Sequence, residues 1–239
     1  MPKKDQTAKN FANQWGAEAQ RQVDVGQYPK WPHEVMVKML FGGANYVDWT
    51  PAPKPNWKVL DVGCFFLNNL LPFVEIGCEC HGIDIHENII SVSREIARSR
   101  HIPVQLGIGR NQEIHYPSDT FNLVLSIGTI HYESDWNSVN SALKEFARVL
   151  APGGLLFITS TGPLHDLFKH AERLGPHKYK ITNYDFRNDQ QFFFFEKQRV
   201  FEEALQNKFF RVAVGRQSEE LVQARFDQFF AVCQKAPLS

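Results

Sequence analysis

At 239 residues, with 43% hydrophobic and 22% charged positions, the chain suits one decorated α/β domain and excludes a disordered one. Lys plus Arg and Asp plus Glu number 26 each, so no chain-wide attraction draws it to long nucleic acid. Met1–Asn10 is polar and no run approaches the ~20 apolar residues that span a bilayer. A cytoplasmic protein with no membrane partner is expected. Cys64, Cys78, Cys80 and Cys233 lack the paired spacing of a structural zinc site, so free buried thiols and no metal are expected.

In chain order, helical turns are expected at Asn13–Val23 and His33–Leu40. An extended connector, Pro51-Ala52-Pro53-Lys54-Pro55, follows. Lys58–Val62 reads as a buried strand, Asn68–Ile76 as a helix with Pro72 early in it, and Glu79–Ile85 as a second strand. Ile89, Val92 and Ile96 put one apolar face on a helix over His86–Ser99. Strands are expected at Pro103–Leu106 and Leu123–Ser126. Val139, Ala142, Leu143, Phe146, Val149 and Leu150 mark a helix over Ser138–Leu150, which Pro152-Gly153-Gly154 stops before a fifth strand, Leu155–Thr159. This alternation predicts βαβ units and a doubly wound parallel sheet. After an insert over 162–197 come a helix at Arg199–Leu205 and two strands, Phe210–Val214 and Phe229–Val232, expected as an antiparallel edge hairpin. The run Phe192–Phe195 leaves three roles open: a buried strand, an acceptor wall or the contact of a homodimer.

The chemistry begins at Val59-Leu60-Asp61-Val62-Gly63-Cys64. A strand turning straight into a helix exposes backbone N–H groups, and glycine there lets the chain approach a ligand. Asp84 ends the second strand in Gly82-Ile83-Asp84-Ile85, where a carboxylate can accept both ribose hydroxyls of an adenosine-containing cofactor or cap the following helix.

These segments resemble class I S-adenosylmethionine-dependent methyltransferases. Val59 to Cys64 is similar to that family's first motif, Gly82 to Ile85 to its ribose-binding acidic motif, and Phe121-Asn122-Leu123-Val124 to its fourth-strand pattern. Arg148-Val149-Leu150-Ala151-Pro152-Gly153-Gly154 resembles its turn into strand five. The resemblance runs from about Lys58 to Thr161 and implies a Rossmann-like α/β domain over 57–239 behind a helical cap or lid over 1–56. It implies S-adenosylmethionine as cofactor, held by Asp61, Gly63, Cys64, Asn68, Asp84, Ile85, Arg110, Asn111, Ser126 and Ile127. Phe65 and Leu67 stand where the family has further glycines. A bulky apolar ring beside a sheet is expected to turn into the core beneath the first helix.

Methyl transfer demands alignment and exclusion of water, with a base only where the acceptor holds its proton tightly. His131 and His165 are the candidate bases, each with a structural role as its alternative. Trp31, Tyr132 and Asp166 are candidate substrate contacts, and Trp15 and Tyr28 candidate walls. The expected reaction is methyl transfer to O or N of a small polar acceptor. The competing readings are a non-catalytic binding module, which Phe65 and Leu67 favour, and a nicotinamide oxidoreductase, which the missing Gly-x-Gly-x-x-Gly opposes.

Overall fold

The computed structural model describes residues 3–42 and 46–238. Helices α1 (Lys3–Asp24) and α2 (Glu34–Phe41) lead into β1 (Lys58–Val62), α3 (Leu71–Glu75), β2 (Glu79–Asp84), α4 (Glu87–Ser99), β3 (Val104–Ile108), β4 (Phe121–Ser126), α5 (Trp136–Val149) and β5 (Leu150–Thr161). The insert forms β6 (Ala171–Gly175), β7 (Lys178–Ile181) and β8 (Gln191–Phe193). The chain closes with α6 (Gln198–Gln206), β9 (Arg211–Leu221) and β10 (Ala224–Gln234).

One seven-stranded sheet runs in the order β3-β2-β1-β4-β5-β10-β9. Neighbours among β1 to β5 pair in parallel, while β10 is antiparallel to both β5 and β9. The expected doubly wound sheet with an antiparallel edge hairpin is therefore the fold. The strand order reverses at β1, whose two neighbours lie across crossovers on opposite sides. The ends of β1 and β4 thus open a crevice for a ligand.

Local chemistry sets the elements. His86 caps α4 by accepting from the Asn88 N–H, and Asp135 caps α5 by accepting from the Ser138 N–H at 2.9 Å. The helix α5 stops at Val149, but β5 begins at once at Leu150 and passes through the Pro-Gly-Gly turn. Gly154 is tight there, because a Cβ would stand 2.8 Å from the Ala151 carbonyl oxygen and 3.0 Å from that of Phe121. Alternate strand residues enter opposite layers. Leu60, Val124 and Ile158 join Phe146 and Phe201 on the α5–α6 side. Val59, Leu123 and Phe157 join Phe66, Phe73 and Ile90 on the α3–α4 side. No helix among the described residues is long and apolar enough to cross a membrane.

The insert holds a three-stranded antiparallel sheet, β6-β7-β8, of which the sequence suggests only the buried strand at Phe192–Phe195. Phe192 and Phe194 pack with Leu167, Tyr179 and Ile181 in a cluster of their own, while Phe193 and Phe195 enter the main core beside Phe201. All four are at most 1% exposed. The run is therefore a buried segment fastening the insert to the domain, and a dimer contact through it is corrected. Phe193→Ala should lower stability by about 3–5 kcal/mol, the cost of a large cavity in packed surroundings, read from the denaturant midpoint.

Candidate active site

The loop after β1 is fixed by its own backbone. Gly63 and Cys64 donate their N–H groups to the Ile83 carbonyl at 2.8 and 3.1 Å. Phe65 donates to Asp84 Oδ2 at 3.3 Å, and Ser93 Oγ holds the Phe65 carbonyl at 2.5 Å. Gly63 has φ +79°, and a Cβ there would stand 2.4 Å from Thr129 Cγ2, so the β1 and β4 loops meet only because this residue has no side chain. Phe65 (φ 38°) and Leu67 (φ 62°) adopt the left-handed region without being glycine. Burial of Phe66 and Leu67, 1% and 0% exposed, offsets the ~1–3 kcal/mol that each such residue costs.

That conformation reverses the expectation for Phe65. Its ring is half-buried and turned outward, 5.6 Å from Trp15 of α1 with the planes at 90°. Phe66 enters the core in its place, 5.1 Å from Tyr28.

Two carboxylates end β1 and β2 on one face of the sheet. Asp61 is 1% exposed, and neither of its oxygens has a hydrogen-bond partner among the described residues. Burial, helped by the charge of Asp84, pushes its carboxyl up to about 7. Asp84 is 8% exposed and accepts from Ile85 N–H at 2.7 Å as well as from Phe65 N–H. Burial raises its carboxyl to about 6 against those two bonds. A cofactor that brings ribose hydroxyls and an ammonium group fits this pair, because orphaned buried acceptors call for donors.

The remaining predicted cofactor residues divide. Ile85 and Ile127 are half-buried at the strand ends, Ile127 packing against the α3–α4 layer. Asn111 donates its amide to the Thr129 carbonyl at 3.2 Å and to Glu133 Oε1 at 2.9 Å, tying the loop after β3 to the loop after β4. Arg110 is exposed and lies 3.6 Å from Glu113. Three assignments are corrected. Asn68 gives its amide to the Trp31 carbonyl at 2.9 Å, fastening the N-terminal segment instead of capping a helix or reaching the cofactor. Ser126 is fully buried and bonded to Thr129 Oγ1 at 2.7 Å. Cys64 is 2% exposed, and burial holds its thiol well above its usual range, which leaves it inert.

At the acceptor side, His131 is 6% exposed, stacked on Phe192 at 5.5 Å and 11°, with Nδ1 3.3 Å from Thr161 Oγ1. Burial, then the charges of Arg187 and His165, push it down to about 3. Buried, stacked and bonded to Thr161, His131 has the surroundings of a neutral packing and hydrogen-bonding residue. His165 caps the turn Asp166–His170 by accepting from Leu167 N–H at 3.0 Å, and burial lowers its pKa. Asp166 accepts from Arg225 N–H at 2.8 Å and pairs with Lys169. His165 and Asp166 line a cavity of about 350 Å³ against the β9–β10 hairpin, one whose walls include neither Asp61 nor Asp84. They stand on the hairpin side of the domain, each engaged by local hydrogen bonds. Trp31 is 83% exposed.

What the strand ends do gather is aromatic. Trp15 meets Phe65, Tyr132 at 5.5 Å and Phe186 at 4.7 Å, all edge to face. Arg187, paired with Asp185 at 3.0 Å, lies over the Phe186 ring at 5.5 Å. Sequence reasoning reached Trp15 and Tyr132 and missed Phe186, Arg187 and the buried Glu133, whose carboxyl burial pushes up to about 7. Nothing local distinguishes these three from surface residues.

Sheet order, switch point and paired acids define a Rossmann-like domain of the methyltransferase type. Residues 60–158 match the family described as "Methyltransferase domain", and over that segment the chain is similar to S-adenosylmethionine-dependent methyltransferases. It is 29% identical over 141 residues to the norajmaline N-methyltransferase of Rauvolfia serpentina, covering 58% of this chain and 46% of that protein. It is 34% identical over 107 residues to the probable tRNA methyltransferase 9B of Mus musculus, covering 44% and 22%. The chain thus spans less than half the length of these relatives. The 1,6-didemethyltoxoflavin-N1-methyltransferase of Burkholderia thailandensis, solved with 1,6-didemethyltoxoflavin and S-adenosylhomocysteine bound, shares the fold at TM-score 0.68 and 15% identity. That match covers 99% of this chain and 92% of that one.

Asp61 makes a pH prediction. The folded carboxyl keeps its proton up to about 7 while the unfolded one releases it near 3.8, so across that window the folded state holds more protons. Stability should therefore fall as pH rises from about 4 to about 7. Asp61→Asn should remove ~1–3 kcal/mol of that decline, measured as denaturant midpoints against pH without cofactor.

Proposed function

We propose that the chain transfers a methyl group from S-adenosylmethionine to a small-molecule acceptor, at a nitrogen or oxygen. The observation that carries this reading is the Asp61–Asp84 pair at the switch point, both buried, with Asp61 lacking any donor among the described residues. When bound, the cofactor supplies an electrophilic methyl on sulfur. Asp84 would accept the ribose hydroxyls beside its two backbone N–H bonds, and Asp61 would hold the ammonium of the amino-acid end. The Phe65 backbone closes the β1 side. Phe65, Trp15 and Tyr132 keep water from the transferring carbon, which strengthens every charge interaction inside.

His131 holds no proton near neutral pH and takes one up poorly. That favours an acceptor nitrogen with a free lone pair, which attacks without a base and gives its proton to water afterwards. Phe65 at φ 38° and its contact with Trp15 favour a second reading, a module that keeps the fold without binding the methyl donor.

Titration calorimetry separates the two. Wild type should bind S-adenosylmethionine, and Asp84→Ala should weaken it by ~1–3 kcal/mol, the cost of stranding ribose hydroxyls. Equal affinities would remove the ribose role of Asp84, and a wild type that ignores the cofactor would establish the non-catalytic module.

A further inference from the structure

The aromatic cluster at the strand ends does more than close a lid. We propose that Trp15, Phe65, Tyr132 and Phe186 form the acceptor site, and that the acceptor is a neutral planar heteroaromatic carrying a hydrogen-bond-accepting oxygen or nitrogen. This rests on the methyltransferase reading.

Four rings come from four separate parts of the chain: α1, the loop after β1, the loop after β4 and the insert. A core cluster of this size would be sealed, as Phe192 to Phe195 are. Each of these four is only half-buried, so the cluster reaches solvent while standing over the ligand crevice. Its contacts are edge to face, at 84° to 90° around Trp15. Such rings present both a negative face and a positive edge, the surfaces that a flat π-system matches.

The polar groups narrow the class. Trp15 Nε1 is buried and has no hydrogen-bond partner among the described residues. An indole N–H withdrawn from water needs an acceptor, and a carbonyl oxygen or ring nitrogen on the ligand supplies one. The guanidinium of Arg187 over Phe186 disfavours a cationic ligand. A sugar would leave its hydroxyls against ring carbon.

The placement of Trp15 is built. Gln14, its neighbour in α1, accepts from Gln190 Nε2 at 2.8 Å and donates to the Asn188 carbonyl at 3.4 Å. On its other side Gly16 lets α1 approach α4, since a Cβ there would stand 3.3 Å from Asn88 Cβ. The helix is fastened to the insert on one flank and to the sheet layer on the other, with the indole between.

The test uses the full chain saturated with S-adenosylhomocysteine and two probes of one skeleton. Quinolin-4-one is planar with a carbonyl, and decahydroquinolin-4-one keeps the carbonyl without the planarity. By calorimetry the planar probe should bind at least about tenfold tighter. Trp15→Phe, which keeps a ring and removes the N–H, should weaken it about tenfold while S-adenosylhomocysteine affinity stays within about twofold. Equal binding of the two probes, or no loss in Trp15→Phe with an unchanged melting midpoint, would overturn the proposal. A protein that ignores S-adenosylhomocysteine yet still separates the probes would defeat the transferase reading and leave the aromatic site standing.

Discussion

The structure depends on the pinning of the β1 loop to the end of β2. Ile83 and Asp84 together take three successive N–H groups, those of Gly63, Cys64 and Phe65. Buried backbone donors must be satisfied, and meeting them with the neighbouring strand fixes where the crevice floor lies. The same bonds place Asp84 at the rim with lone pairs still free, and bring Thr129 against Gly63 from the far side of the switch point. Glycine is required at 63 because its φ is +79° and the Thr129 side-chain methyl occupies the space of a Cβ. At 65 it is not, because the side chain has an exit, outward to α1.

That exit changes what the N-terminal helix is for. With glycine at 65, α1 would face a bare backbone; with phenylalanine, it meets a ring and completes an aromatic enclosure with Trp15. The insert supplies the remaining wall through Phe186 and is itself anchored by β8, whose phenylalanines divide between two cores. A site assembled this way sits on a rigid sheet but is bounded by two segments outside the matched family region. Relatives can therefore share cofactor geometry while their acceptors differ.

The sheet was legible because periodicity is a local signal. Every strand and helix of the alternating region lies within a few residues of its expected place, and the departures have local causes. Strand β5 starts at Leu150 because Leu150 pairs with Phe121 of β4 ahead of an irregularity in the register, a long-range partner that no local pattern announces. Strand β6 was illegible because its three central residues are exposed and it carries no apolar alternation to read. In the site, Asp61, Gly63 and Asp84 were legible from strand, turn and spacing. Asn68, His165 and Asp166 were not, since the bonds that engage them to Trp31, Leu167 and Arg225 are decided by loop geometry. Phe65 and Phe66 look alike in sequence; a φ of 38° decides which one reaches solvent.

His131 shows why residue type alone misleads about chemistry. A histidine after the fourth strand has the intrinsic pKa of a base, but the same fold that delivers it to the site stacks it on Phe192 and sets the half-buried Arg187 guanidinium nearby. Desolvation and like charge both oppose its protonation, so the imidazole is kept neutral by the packing that positions it. The carboxyls move the other way: burial makes Asp61 and Asp84 hold protons longer and ready to accept hydrogen bonds once a ligand supplies donors. One cause, exclusion of water from the strand ends, thus weakens proton transfer and strengthens ligand recognition together. A site so constituted suits a reaction whose barrier lies in aligning and drying two reactants and not in moving a proton, which is the requirement of displacement at a sulfonium methyl.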